Sequence, residues 1–287
     1  MKRFNFSDII ILFSMLVFSS CTNEFDDEFQ NSDNSNFLNV ITKSSTVVDT
    51  TFVSQKFYYE GRTFNYISSF VGDSLVSIDN PEVVELFEFF STQSSLVKYL
   101  HQDGIIEYFN DRETFLNQLS SIVESERIIA EQELAIEPYY TGHPWTTPLP
   151  PMDQSDNKIA NLWLFDDDNY DDSYTQLDLK LGENQSSISN LRTVDLNDRV
   201  TSFVAYVFNH GVLFEMFEDA DFQDSSFSFC VFPGNRTVFS GDISFKFGDP
   251  SPQIGFCSIA NLKNCNVIGN AYDSWNDRIS SVRITPL

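Results

Sequence analysis

Hydrophobic positions change period along the chain, and the change divides it. Between residues 82 and 100 they follow helical spacing: Val84, Leu86, Phe87 and Phe90 fall on one face, and Pro81 suits the first helical position. Leu96, Tyr99 and Leu100 extend that stripe after an interruption at Ser91 to Ser95. Asp111 precedes a second helical stretch, 112–134, as an N-cap should. The runs 57–64 and 75–78 read as strands, and Ile105 to Phe109 is a short apolar run. Beyond residue 160 the period falls to two. Leu177, Leu179 and Leu181 alternate with polar residues, and apolar runs at 203–208, 227–232 and 282–284 are separated by Gly, Pro, Asn and Asp turns. The pattern predicts a small α+β domain over 51–134, a Pro-rich linker over 135–160 and an all-β sandwich over 161–287.

The β-rich part repeats itself. Leu196-Asn197-Asp198-Arg199-Val200-Thr201-Ser202 is echoed by Trp275-Asn276-Asp277-Arg278-Ile279-Ser280-Ser281. Ile188 to Leu191 and Ile259 to Leu262 both read Ile-x-Asn-Leu. Upstream of these, Phe165 to Tyr170 and Phe217 to Phe222 each enclose an acidic corner between two aromatics. Three landmarks in one order, twice, define an internal repeat with motifs over 161–207 and 211–285.

This order of landmarks resembles the paired Greek-key motifs of the βγ-crystallin superfamily, whose motifs close on Asn/Asp-Asn/Asp-x-x-Ser/Thr-Ser. The resemblance covers less than half the chain and implies a Greek-key sandwich. One departure stands out: the family usually has Gly two residues after the second corner aromatic, where φ is positive, and this chain has Asp172 and Asp224. Asp tolerates that region better than most residues.

Calcium takes six to eight oxygen ligands, and the twin loops are rich in oxygen. The resemblance implies two calcium ions, held by the second Asx (Asp198, Asp277), the carbonyl of the third residue (Arg199, Arg278) and the fifth-position hydroxyl (Thr201, Ser280). Asn197 and Asn276 open the two motifs, and carbonyls at Asp166 and Glu218 complete the sets. The same residue types also form plain turns without metal.

The N-terminus reads as an address. Lys2 and Arg3 precede an apolar stretch from Ile9 to Phe18, too short to span a bilayer, and Phe18-Ser19-Ser20-Cys21 resembles a bacterial lipobox. Residues 1–20 are thus expected to be a lipoprotein signal peptide, with Cys21 the lipidated residue and 21–50 a polar tether. The acidic run Glu24 to Glu28 resembles the surface-export tag of Bacteroidetes lipoproteins, which implies an outer-membrane lipoprotein at the cell surface of a Gram-negative bacterium. A net charge of −25 fits cations as partners and argues against nucleic acid. Of the remaining cysteines, Cys257 and Cys265 could form a disulfide that clips an inserted loop, leaving Cys230 as a buried thiol.

Neither a nucleophile motif nor a phosphate loop is present, and the three histidines carry no ligand spacing. The expectation is therefore a binding module, not an enzyme: a calcium-binding surface lipoprotein facing an extracellular protein or glycan. The alternative is a proteinaceous inhibitor or toxin-like protein acting through the loops of the second repeat.

Overall fold

A computed structural model of the protein describes residues 50–71, 74–134, 157–170, 174–238, 254–259, 261–262, 275 and 277–287. Strands dominate. Two α-helices occur among the described residues, and the sheets mix parallel and antiparallel pairs. The expected signal peptide, Cys21, residues 21–49 of the tether, residues 135–156 of the linker, Asp172, Cys265 and Asn276 lie outside the described residues.

The first strands, β1 (Thr50–Tyr59) and β2 (Arg62–Val71), form a long antiparallel hairpin. The run 57–64, expected as one strand, is the tip of this hairpin. Glu60 and Gly61 both take positive φ, at 50° and 70°, which closes a two-residue turn. Phe57 therefore lies opposite Phe64, with rings stacked 5.0 Å apart. β3 (Ser74–Ile78) follows on the edge.

Helix α1 (Pro81–Phe90) begins with Pro81 in its first turn, as predicted, and Asn80 caps it by accepting from the Glu82 N–H at 3.1 Å. It does not resume after Ser91. The Ser91 and Thr92 hydroxyls donate back to the Glu88 and Phe89 carbonyls and close the end. Leu96, Tyr99 and Leu100 then lie in or beside a strand, β4 (Val97–Leu100), in which all four residues are buried. A segment buried on every side has no helical stripe, and the i, i+3, i+4 spacing here was coincidental. β5 (Ile106–Phe109) pairs with both β4 and β1. Helix α2 (Arg112–Leu134) starts where expected, with the Thr114 N–H donating to Asp111 at 2.7 Å.

The remaining strands are β6 (Lys158–Phe165), β7 (Tyr174–Lys180), β8 (Ser186–Ile188), β9 (Ser202–Phe208), β10 (Val212–Phe217), β11 (Ser226–Val231), β12 (Arg236–Val238), β13 (Ile254–Ile259) and β14 (Ser281–Pro286). They fall in two sheets, β3-β2-β1-β5-β4-β11-β10-β14-β8 and β12-β13-β9-β6-β7. Two strands cross over. β8, from the first repeat, pairs with β14 of the second, and β13, from the second, pairs with β9 of the first.

The larger sheet runs through both of the regions expected as domains. β4 pairs in parallel with β11, Val97 to Leu100 against Ser226 to Phe229, and residues 48–287 form one compact unit. One core follows the sheet, from Phe57, Phe87 and Tyr108 through Leu164 and Phe203 to Phe229, Trp275 and Ile284. Burial of that many large apolar side chains is the main stabilising term. A second core lies beneath α2, where Phe115 and Ile122 meet Tyr99, Phe109, Leu213 and Cys230.

Candidate functional site: the twin loops

The repeat in the sequence is a repeat in the hydrogen bonding. In the first corner the Phe165 and Tyr170 rings meet edge-on at 5.7 Å; in the second, Phe217 and Phe222 do so at 5.6 Å. Tyr170 and Phe222 both take φ of 62°. Each fold-back is held by the serine that ends a loop. The Tyr170 N–H donates to the Ser202 hydroxyl at 3.2 Å, and that hydroxyl donates to the Asp167 carbonyl at 2.7 Å. The Phe222 N–H likewise donates to Ser281 at 3.1 Å, and Ser281 to the Asp219 carbonyl at 2.6 Å. Asp224 does adopt the positive φ, 62°, that the missing glycine would have supplied.

The two loops are joined to each other crosswise. The Asp198 N–H donates to the Ile279 carbonyl and the Asp277 N–H to the Val200 carbonyl, both at 3.3 Å. The Leu191 N–H reaches the Ser280 carbonyl and the Leu262 N–H the Thr201 carbonyl, both at 2.8 Å. Side chains continue the exchange. The Ser280 hydroxyl donates to Asp198 Oδ1 at 2.8 Å, and the Thr201 hydroxyl approaches Asp277 Oδ1 at 3.5 Å. The second Asx of each loop thus faces the fifth-position hydroxyl of the other. Asp198 and Asp277 hold φ of 53° and 56°, so both carboxylates start from the same backbone turn.

The other expected ligands are placed as follows. The Asn197 side chain donates to its neighbour Asp198. The Arg199 guanidinium pairs with the Asp166 carboxylate, and the Arg278 guanidinium with Glu218. The Asp166 and Glu218 side chains are therefore engaged by arginine, and what these two positions can offer a cation is the main-chain carbonyl. Burial pushes the Glu218 carboxyl up, against the pull of Arg278 and Lys98. Among the described residues no cluster of three or more His, Cys, Asp or Glu side chains has metal-holding geometry. Each loop pair provides one carboxylate, one hydroxyl and nearby carbonyls, a donor set of hard oxygens that fits calcium and not a softer metal. Cys257 is buried on β13 and Cys230 on β11, where burial pushes the thiol up to about 12.

The sequence did not single out a polar cluster beneath α2. His101 lies between Glu126, 2.9 Å from Nδ1, and Glu107, 3.0 Å from Nε2. Burial alone would lower the imidazole, but the hydrogen bonds to Glu107 and Glu126 outweigh it and hold it at about 9. Nearby, Glu215 of β10 takes a two-point contact from Arg112 of α2, at 2.8 and 3.0 Å. Both clusters tie α2 to the sheet. A signal for the first was available: Glu126 stands in the buried stripe of α2 with Phe115, Ile122 and Ala130, and a glutamate there needs a partner.

Comparison with known proteins adds no relative: no family model, no curated protein and no solved structure matches the chain. Among the described residues no helix is long and apolar enough to cross a membrane.

Proposed function

We propose that the protein is a calcium-binding surface lipoprotein whose C-terminal half is a βγ-crystallin-like pair of Greek keys. The exchange of β8 and β13 between the two sheets supports the paired-motif reading. The observation that carries calcium binding is the crosswise approach of Asp198 to Ser280 and of Asp277 to Thr201. Each of the two cation sites draws its carboxylate from one loop and its hydroxyl from the other. Carbonyls of Arg199, Arg278, Asp166 and Glu218 are the candidate remaining protein ligands, with water completing the shell. Asn276 belongs to the same motif.

The role follows from the placement. Cys21 is the proposed lipid anchor to the outer membrane, and the acidic run after it the export signal. Held outside the cell, the module meets calcium at extracellular levels, where weak sites with Kd of about 10⁻⁴–10⁻³ M are useful. Its partner is an extracellular protein or glycan, engaged by a module that calcium stiffens; it is not a nucleic acid, and no catalytic role is assigned. Calorimetric titration of the mature chain with calcium tests this reading. Saturable binding that Asp198→Ala and Asp277→Ala each weaken at least tenfold supports it, and an absence of heat up to about 10 mM, well above that range, removes it.

A further inference from the structure

Where α1, β4 and the second acidic corner meet, the surface opens into a cavity of about 430 Å³. That is within the size range of small-molecule sites. One wall is aromatic: Phe87 and Phe90 of α1 and Tyr108 of β5, with Phe90 and Tyr108 stacked 4.4 Å apart. Lys98 of β4 lines the cavity and is only 3 % exposed. Its ammonium lies 5.4 Å above the Trp275 ring. Arg278, also at the cavity, is paired with Glu218.

The mouth has the opposite character. Asp224 is exposed there, and the segment Ser91 to Ser94 that follows α1 lines the cavity without a basic side chain. The cavity therefore holds Lys98 beside the Arg278–Glu218 pair at depth, a carboxylate at its mouth and aromatic rings along one side.

We propose that this cavity binds a small amino-acid zwitterion with a large apolar side chain. Its carboxylate meets Lys98, its ammonium meets Asp224, and its side chain lies along Phe87 and Phe90. A simple carboxylate would leave Asp224 unused, and a simple amine would leave Lys98 without a ligand group.

The test is calorimetry on the mature full-length chain with three probes: L-phenylalanine, L-phenylalaninamide and 3-phenylpropionate. L-phenylalanine should saturate one site. The other two probes, each lacking one charge, should bind at least tenfold more weakly. Lys98→Met should abolish binding of L-phenylalanine. Asp224→Asn, on the exposed rim, should weaken L-phenylalanine tenfold and leave 3-phenylpropionate unchanged; it decides the matter if the Lys98 variant does not fold. No saturable binding of L-phenylalanine overturns the proposal, as does equal binding of all three probes or indifference to Asp224→Asn. Because Glu218 and Arg278 line the cavity and also belong to the proposed cation sites, the titrations are run with and without calcium; failure of calcium to bind leaves the L-phenylalanine result to stand or fall on its own.

Discussion

Asp198 accepts a hydrogen bond from Ser280, 82 positions later in the chain, at 2.8 Å. Its counterpart Asp277 faces Thr201 in the same way. The two loops are thus one structure built from both repeats, and each carboxylate depends on the other repeat for its position.

Ser202 and Ser281 are the first places to test that structure. Both are fully buried, and each hydroxyl satisfies one N–H and one carbonyl of its corner. Replacing either with Ala leaves both groups without that partner, at a cost of about 1–3 kcal/mol. Urea unfolding of Ser202→Ala and Ser281→Ala should each show a loss of that size. A change within about 0.5 kcal/mol, typical of neutral surface substitutions, would mean that the corners stand without these bonds.

His101 should make stability fall as pH rises. Its folded value is held at about 9 against an ordinary 6.5, so the folded state keeps the proton longer than the unfolded one. The contribution is complete below pH 6.5 and disappears as pH climbs through 9. His101→Gln should therefore lower stability most in acid, with a pH-dependent part on the order of 3 kcal/mol, and converge toward the parent above pH 9. Parallel curves for the two proteins across that range would rule out the charged imidazole between Glu107 and Glu126.

Lys98 acts with the opposite sign. Its folded value is lowered to about 7 from 10.5, so between these limits the unfolded state binds the extra proton and stability rises with pH. Below pH 7 the fold bears the full cost of a buried ammonium. Lys98→Met should stabilise the protein most at and below neutrality, on the order of 4 kcal/mol, and lose that advantage by about pH 10.5. Destabilisation at pH 6 would show that Lys98 contributes more through Glu218 and Trp275 than its burial costs.

The repeats, the acidic corners and the starts of both helices were legible in the sequence because each is local. Asn80 and Asp111 cap their helices through bonds two and three residues away. The shared sheet was not legible. It depends on Val97 to Leu100 lying beside Ser226 to Phe229, and nothing in either segment names the other. The same limit applies to the site. The motif located Asp198 and Thr201 but could not say that each would face the other loop, nor that Arg199 and Arg278 would engage the acidic corners. His101, Glu107 and Glu126 have no motif spacing, and the fold alone brings them together.

The proposed anchor has its own measurement. Cys21→Ala should abolish incorporation of labelled palmitate and leave an uncleaved precursor, because the lipidated residue is the one after the cleavage site. Labelling that persists in the variant would place the lipid elsewhere or remove it from the account.

The central claim is that the crossed loops bind calcium, and the melting temperature of the mature chain tests it most directly. A ligand that binds only the folded state stabilises it by about 2.7 kcal/mol at a hundredfold excess over Kd. For a domain of this size that is a rise on the order of 5–10 °C. Calcium at 100 times its Kd should produce the rise, magnesium at the same concentration should produce much less, and Asp198→Ala and Asp277→Ala should each remove most of it. Asp178→Ala, on β7 and away from the loops, should keep it. A melting temperature unmoved by calcium in the parent protein would contradict the claim and leave the crossed loops as turns that hold two repeats together.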